Sequence, residues 1–411
     1  MKIFNRKLKI TSFALLALCI LFLMSACANG DSQPEQFQAT EQTTVQPTTM
    51  SEEEINDQKL DRFISNMKLE EKVGQMFFVR CPDEDAVQQV REYNIGGYIL
   101  FGRDFDGKTK DEVINCIQSY QDEADIPLLI GVDEEGGTVV RVSSNPNLRE
   151  APFLSPRDTY SSGGWDAIKQ DAEEKADLLL SLGINVNLAP VCDMTSDEYG
   201  FMYDRSFSSD VDMENRFVRT VVETSKSKKL GTVLKHFPGY GNNSDTHTGI
   251  AYDDRDYSEF ENTDFKPFYQ GIESGADCIL VSHNIVNCMD SEYPASLSQK
   301  VHDILRNDFR FDGVIMTDDL IMDAITDFTG DEAAAVTAAK CGNDLLCCSS
   351  VDTQYPAVLE AVQSGKIPEA QVDASVKRIL KWKQNLGIFN IDTYQKKVKS
   401  TETTDTVGSE E

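Results

Sequence analysis

Charged side chains in this sequence recur where short apolar runs end. Asp133, Lys235, His236 and Asp318 each close or directly follow a run rich in aliphatic residues. Such runs are typical of buried strands, and a charge at the end of a buried strand needs a partner or a function. These four residues are therefore the first candidates for chemistry.

The residue types indicate chemistry on a sugar. A carboxylate can attack an anomeric carbon, while a second group protonates the leaving oxygen and later deprotonates water. Asp245-Thr246-His247 supplies that second group, because histidine titrates near neutral pH and a neighbouring aspartate can orient its ring. Lys235 and Arg205 are cations that could bind ring hydroxyls.

Eight apolar runs with strand character alternate with amphipathic helical segments. Alternating strand and helix predicts a parallel sheet with helices outside it. The runs are Val73–Val79, Ile95–Phe101, Pro127–Val132, Asn185–Pro190, Thr232–Phe237, Cys278–His283, Gly313–Thr317 and Asp344–Ser349. Eight units favour an α/β fold closed as a (β/α)8 TIM-type barrel, although an open doubly wound sheet gives the same alternation. In a barrel, all the charged strand ends meet at one mouth.

Composition excludes several classes of partner and cofactor. The net charge of −30 argues against nucleic-acid binding, because a polyanion would be repelled. No Cys/His spacing of a zinc site is present, so we expect no metal. Gly136 and Gly137 predict a tight turn rather than a phosphate-binding loop, and we expect no cofactor.

The N-terminal sequence is typical of a bacterial lipoprotein signal. A basic start and an apolar run end at Leu23-Met24-Ser25-Ala26-Cys27, which resembles a lipobox. We expect residues 1–26 to be a signal peptide, Cys27 to be lipidated, and 27–51 to form a flexible linker. The barrel is expected over 52–392 as a single catalytic domain, with a disordered acidic tail at 393–411. These features predict an extracytoplasmic protein held on the cell membrane by its lipid anchor.

Longer motifs resemble glycoside hydrolase family 3, and within it the single-domain β-N-acetylglucosaminidases. The matching stretches cover most of the expected barrel. They are Met67-Lys68-Leu69-Glu70-Glu71-Lys72-Val73-Gly74-Gln75-Met76, Ile95-Gly96-Gly97-Tyr98-Ile99-Leu100-Phe101, Val132-Asp133-Glu134-Glu135-Gly136-Gly137, Lys235-His236-Phe237-Pro238-Gly239, Asp245-Thr246-His247 and Val314-Ile315-Met316-Thr317-Asp318-Asp319-Leu320.

The resemblance implies a role for individual residues. Asp318 corresponds to the nucleophile that forms a covalent glycosyl-enzyme with retention, His247 to the general acid/base and Asp245 to its orienting partner. The positions that bind the terminal N-acetylglucosamine correspond to Asp133, Arg141, Arg205, Lys235 and His236.

Four further polar residues are expected to have structural rather than catalytic roles. Asp193 is expected to act behind the site, and His283 to pack beneath it. Asp319 is expected to cap the next helix, and His302 to lie on the surface of a helix.

The implied activity is that of a retaining exo-β-N-acetylhexosaminidase, with fragments of peptidoglycan as the expected carbohydrate substrate. A β-glucosidase or xylosidase of the same fold remains an alternative. A phosphorolytic member of the family is another, because a neutral imidazole does not repel an anionic acceptor. A non-catalytic sugar-binding lipoprotein is the alternative from another class. It would not need a nucleophile.

Overall fold

The computed structural model describes residues 50–241, 243, 249–329 and 334–394. The strands are β1 (Phe77–Arg80), β2 (Gly97–Leu100), β3 (Leu129–Val132), β4 (Val186–Asn187), β5 (Gly231–Phe237), β6 (Tyr252–Asp253), β7 (Cys278–Val281), β8 (Ile285–Val286), β9 (Val314–Thr317) and β10 (Leu346–Cys348). The α-helices are α1 (Glu52–Ser65), α2 (Leu69–Gln75), α3 (Ala86–Tyr93), α4 (Lys110–Glu123), α5 (Pro156–Ser181), α6 (Val211–Lys228), α7 (Tyr257–Asn262), α8 (Phe265–Glu273), α9 (Gln299–Asp303), α10 (Asp323–Thr329), α11 (Ala334–Cys341), α12 (Val351–Gln363) and α13 (Glu369–Asn385).

Eight parallel strands form the barrel, in the order β10-β1-β2-β3-β4-β5-β7-β9. A parallel bridge between Met316 and Leu345 joins the two ends of this sheet, and the Thr317 amide donates to the Leu345 carbonyl at 3.1 Å. Strands β6 and β8 pair separately. The predicted (β/α)8 fold is confirmed, and each predicted run overlaps one barrel strand.

One predicted run was wrong in its first half. Residues 73–75 belong to α2, and β1 begins only at Phe77. The Glu71 carboxylate accepts a hydrogen bond from the Lys68 amide at 3.0 Å and fixes the start of this helix. Every residue from Val73 to Val79 is buried, so the apolar run continues through the helix end into the strand. Periodicity cannot separate two buried elements in such a run.

Side chains alternate between the barrel interior and the layer beneath the helices. Phe78 points inward, because its Cζ lies 2.6 Å from where a Cβ on Gly131 would stand. Phe77 points outward, with its ring 5.9 Å from that of Tyr355 on α12. Each buried phenylalanine contributes about 1.5–3 kcal/mol. This alternation decides which residues at the strand ends face the mouth.

His302 was predicted to be a surface residue, and that prediction is wrong. It is buried, and its Nδ1 lies 2.7 Å from the Ser298 carbonyl oxygen and 3.8 Å from the Cys341 sulfur of α11. Burial lowers the pKa of His302. The short helix α9 packs this face against the protein rather than presenting it to solvent.

The described residues also show the state of the cysteines and the character of the helices. All eight cysteines of the described residues are free thiols. No described helix is long and apolar enough to cross a bilayer. The apolar run before Cys27, the linker to residue 49 and the tail from residue 395 lie outside the described residues.

Candidate active site

Asp318 leaves the carboxyl end of β9, at the barrel mouth. Its backbone amide donates to the Val281 carbonyl of the neighbouring β7 at 3.2 Å. One carboxylate oxygen, Oδ1, accepts from the Asp319 amide at 2.9 Å. The strand and this amide together fix the position of the Asp318 carboxylate.

Asp319 and His283 lie next to Asp318 and make hydrogen bonds of their own. The Asp319 carboxylate accepts from the Ser349 hydroxyl at 2.6 Å and from the Ile321 amide at 3.2 Å. Helix α10 begins only at Asp323, so Asp319 does not cap it, and that prediction was wrong. His283 is buried between the Ser296 hydroxyl and the Asp319 carbonyl oxygen, at 2.7 and 3.1 Å. The prediction that it packs beneath the site is confirmed.

Lys235 lies at the centre of a second group, on the strands β3 and β5. Its Nζ is 2.6 Å from the Asp133 carboxylate and 2.7 Å from that of Glu135. Arg205 donates to both oxygens of Glu135, at 2.8 and 3.0 Å. Sequence positions up to 102 apart are thus joined in one ion network.

Glu135 was not among the predicted site residues. Its neighbour Glu134 faces away and accepts from the amides of Arg141 and Val142 at 2.9 and 2.7 Å, which shapes the loop after β3. In an extended chain, alternate side chains share a face, so Asp133 and Glu135 reach Lys235 while Glu134 does not. That alternation was the available signal. Gly136, with φ of 102°, then makes the predicted tight turn, where a Cβ would lie 2.2 Å from the Leu154 carbonyl oxygen.

His236 connects the network to Asp193. Its Nδ1 and backbone amide lie 2.7 and 3.0 Å from one oxygen of Asp193, whose other oxygen accepts from the Tyr240 amide at 2.7 Å. Arg205 approaches the His236 Nε2 at 3.2 Å. Because arginine can only donate, Nε2 must accept and Nδ1 must carry the proton. Asp193 therefore contacts the network through His236, on the ring nitrogen that does not face Arg205.

The network carries its charges in spite of burial. Burial alone would raise the pKa of Glu135, but the charges of Arg205 and Lys235 outweigh it and hold that pKa far below the usual range. Burial likewise opposes the charged form of Lys235, yet the carboxylates of Asp133 and Glu135 raise its pKa. The mouth therefore presents fixed charges that need no reorganisation when a sugar binds.

Asp133 and Asp318 lie at the same end of the barrel, because each follows the carboxyl end of a parallel strand. Burial raises the pKa of the Cys347 thiol on β10, and the nearby charges of Asp319, Asp318 and Asp133 raise it further. The carboxylates of Asp133, after the third barrel strand, and Asp318, after the seventh, thus both raise the pKa of Cys347 on the eighth strand. The nucleophile candidate and the cation network belong to the same end of the barrel.

Arg141 lies apart from the ion network. Its guanidinium carbon is 5.8 Å from the centre of the Phe101 ring, and its one side-chain hydrogen bond among the described contacts is a long one, 3.4 Å, to the Val140 carbonyl. The structure brings together Asp133, Lys235, Arg205 and His236 but does not join Arg141 to them by a direct contact.

Asp245 and His247 lie outside the described residues. The segment that contains them leaves the carboxyl end of β5, where Tyr240 packs edge-on to the His236 ring at 5.3 Å. Within the ranges that are described, no cluster of three or more histidine, cysteine or acidic side chains is arranged to hold a metal ion.

This arrangement is suited to work on a polyol. A strand-end carboxylate stands beside an array of charged donors and acceptors, and charge-assisted hydrogen bonds of this kind fix the orientation of hydroxyl groups. The (β/α)8 fold and the charged groups at its mouth together are suited to binding a carbohydrate.

Comparison with known proteins gives the family. The model of the glycosyl hydrolase family 3 N-terminal domain matches residues 68–382, and the chain belongs to this family. A beta-hexosaminidase of Hydrogenovibrio crunogenus is 32% identical over 258 residues, which cover 61% of this chain and 71% of that protein. One from Nitrosomonas eutropha is 31% identical over 267 residues, covering 63% and 75%.

A solved structure agrees with the sequence relatives. The family 3 β-N-acetylglucosaminidase from Paenibacillus sp. str. FPU-7 superimposes with a TM-score of 0.73 at 29% identity. The match covers 78% of this chain and 63% of that one, so this chain spans less than two thirds of the length of that neighbour.

Proposed function

We propose that this protein is a retaining exo-β-N-acetylhexosaminidase that releases terminal β-linked N-acetylglucosamine. The observation that carries the proposal is the Asp318 carboxylate at the end of β9, at the same mouth as the Asp133–Lys235–Glu135–Arg205–His236 network. The relatives named as beta-hexosaminidases support the choice of sugar.

The proposed reaction has two displacements. An oxygen of Asp318 attacks the anomeric carbon, the bond to the leaving oxygen breaks, and His247 gives that oxygen a proton. Water then attacks the same carbon, His247 takes its proton, and the bond to Asp318 breaks to restore the carboxylate. Two inversions give overall retention. Asp245 would keep the imidazole oriented in both steps.

The network would bind the non-reducing sugar. Lys235 and Arg205 donate, while Asp133 and Glu135 accept, so a sugar hydroxyl that enters can both give and receive hydrogen bonds. Since these charges are already paired with each other, the site is ordered before the sugar arrives, which lowers the cost of binding.

We further propose a location and a natural substrate. Cys27 would carry a lipid that holds the enzyme on the outer face of the cell membrane. The strongly acidic composition and the polar stretch after Cys27 support a domain tethered in that compartment. Fragments of peptidoglycan are the N-acetylglucosamine-bearing glycans that such an enzyme would meet.

Initial rates on aryl glycosides test the proposal. We expect the wild type to cleave an aryl β-N-acetylglucosaminide much faster than the matching glucoside or xyloside, with release of the β-anomer. Asp318→Asn should lower kcat by at least about 1,000-fold. Asp177→Asn, on exposed α5 beside Lys228, is the matched control and should leave the rate unchanged.

Other outcomes would assign another function. Preference for the glucoside would make the protein a glucosidase, and a sugar phosphate formed in phosphate buffer would make it a phosphorylase. Binding of N-acetylglucosamine with no turnover of any glycoside would make it a sugar-binding protein. Full activity in Asp318→Asn would remove Asp318 as the nucleophile.

A further inference from the structure

One arginine binds the chain on both sides of the segment that contains Asp245 and His247. Arg255 follows β6, and its Nη2 donates to the Gly239 carbonyl oxygen at 3.1 Å and to the Asp253 carboxylate at 2.8 Å. Gly239 precedes the segment and Asp253 follows it. A single nitrogen atom therefore fixes one end of the segment relative to the other.

A second carboxylate completes the binding of this guanidinium. Arg255 Nη1 donates to both oxygens of Asp264 at 3.0 Å, and its Nε donates to both oxygens of Asp253 at 3.1 Å. Both carboxylates are buried, and the Asn287 amide holds the Asp253 carbonyl at 2.9 Å. Only the planar fork of arginine can reach two carboxylates and a carbonyl together in this way. These three residues, Arg255, Asp253 and Asp264, form the Arg255 cluster.

Two glycines on the β5 side of the segment pack directly against the Arg255 cluster. Gly239 has a φ of 123°, and a Cβ there would stand 2.3 Å from Asp264 Oδ1. Gly241 has a φ of 55°, and a Cβ there would stand 2.8 Å from the Arg255 guanidinium. Any side chain larger than hydrogen would collide at these two points, so the backbone itself is in contact with the cluster.

The segment between Gly241 and Gly249 carries the acid/base pair of the proposed reaction. His247 must come within hydrogen-bond distance of the leaving oxygen, and an error of about 1 Å in such a placement can cost on the order of 100-fold in rate. We propose that Arg255 is a positioning residue for the acid/base step, because it sets both ends of the segment from which His247 acts. This inference rests on the proposed function and requires no contact between Arg255 and the sugar.

The acidity of the leaving phenol tests the inference. A dinitrophenyl β-N-acetylglucosaminide releases an acidic phenol that needs little protonation, whereas the phenyl glycoside needs a proton from the enzyme. Arg255→Lys, which keeps the charge but not the fork, should lower kcat/KM for the phenyl glycoside at least about tenfold more than for the dinitrophenyl glycoside. His247→Ala should show the same selective loss, to a larger extent. A reduced fraction of folded enzyme would lower both values equally, so a merely structural role would not change their ratio.

A second variant disturbs the same contact from the other side. Gly241→Ala places a methyl group against the guanidinium and should also lower the phenyl value selectively, which keeps the test valid if Arg255→Lys does not fold. Gly365→Ala is its matched control. Gly365 has a φ of 76° after α12, and a Cβ there would have nothing within 4 Å. This control carries the same backbone strain and should leave the ratio unchanged.

A matched control and a double variant complete the design. Arg306 donates to the Phe311 carbonyl oxygen at 2.7 Å and binds the buried Asp344 carboxylate, before β9 at the end of the barrel opposite the mouth. Arg306→Lys should therefore leave the ratio unchanged. Arg255→Lys added to His247→Ala should cause no further selective loss, because no imidazole remains to be positioned.

Other outcomes overturn the inference in distinguishable ways. An unchanged ratio in folded Arg255→Lys and Gly241→Ala would make the Arg255 cluster structural only and leave the proposed function intact. A further selective loss in the double variant would show that Arg255 does not act through His247. Unselective losses in His247→Ala would remove the acid/base role on which the inference rests. A wild type that cleaves neither glycoside would overturn the proposed function itself.

Discussion

Glu135 holds the charged mouth together. Its two oxygens bind Arg205 in the bidentate manner, and one of them also binds Lys235. The side chains of all three are nearly inaccessible to solvent. Buried pairs of this kind contribute modest net stability, but loss of one partner leaves uncompensated charge in a region of low dielectric.

We predict that Glu135→Gln destabilises the fold by about 3–5 kcal/mol at pH 7. Glutamine keeps the size of the side chain but leaves Arg205 without its carboxylate and Lys235 with Asp133 alone. Urea unfolding followed by circular dichroism measures the change. Glu174→Gln, which breaks an exposed pair with Arg149, should cost less than about 1 kcal/mol. Equal effects in the two variants would contradict the account of the network.

The pH range of this stabilisation follows from the two pKa shifts. The pKa of Glu135 is lowered on folding, so its contribution is present above its unfolded value, about 4.3, and is lost as pH falls through the folded value. The pKa of Lys235 is raised, so its contribution is complete below about 10.4 and is lost as pH rises through the folded value. The destabilisation by Glu135→Gln should therefore be largest between these limits and shrink at low pH.

The residue types at the mouth were predictable from the sequence, but the contacts were not. Asp133, Lys235 and Asp318 were found because each ends an apolar run. Glu135 was missed, although its spacing of two from Asp133 places it on the same face.

At the scale of elements, helix α13 buries a lysine against α2. Lys383 is fully buried, and its Nζ donates to Gln75 Oε1 at 2.7 Å. Among the described residues, no carboxylate lies within 4.0 Å of it. Burial lowers the pKa of Lys383 to about 7. The helix therefore places an ionisable group in a contact that favours the neutral amine.

We predict that Lys383 makes stability depend on pH between about 7 and 10. In this range the unfolded chain keeps the lysine proton and the folded protein does not, so the free energy of unfolding rises with pH by about 1.4 kcal/mol per unit. Lys383→Met should remove this slope. Thermal or urea unfolding at several pH values measures it, with Lys381→Met, which breaks a partly exposed pair with Asp57, as the control.

A slope that is the same in wild type and Lys383→Met would show that the buried amine does not titrate in this range.

The burial of Lys383 could be predicted from the sequence. Val372, Val376, Ile379 and Leu380 form the apolar stripe of α13, and Lys383 continues it at helical spacing. The boundary between α2 and β1 could not be predicted, because both elements are buried and their apolar residues show no change from helical to strand periodicity.

At the scale of the whole molecule, the barrel was predictable because eight strand–helix units were legible and family motifs fixed their closure. The packing of the helices around the barrel was less predictable. The burial of His302 depends on α9 packing against α11, which no local pattern specifies. The domain limits at residues 26, 51 and 392 and the lipid anchor remain predictions from the sequence.

The anchor predicts how the protein partitions in its host cell. We expect the wild type in the membrane fraction and in the detergent phase after phase separation, labelled by a radioactive fatty acid. Cys27→Ser should lose the label and leave that phase, with its glycosidase activity unchanged. Wild-type protein recovered unlabelled from the aqueous phase would contradict the anchor without affecting the active site.

The bond between Asp318 and the sugar is the central step of the proposed reaction. A fluorinated N-acetylglucosaminyl fluoride, which slows both displacements, should allow the glycosyl-enzyme to accumulate. Intact-mass measurement should show one added glycosyl group, and peptide mapping should place it on Asp318. A sugar on another carboxylate, or turnover of this reagent by a direct displacement that gives the inverted anomer, would contradict the account.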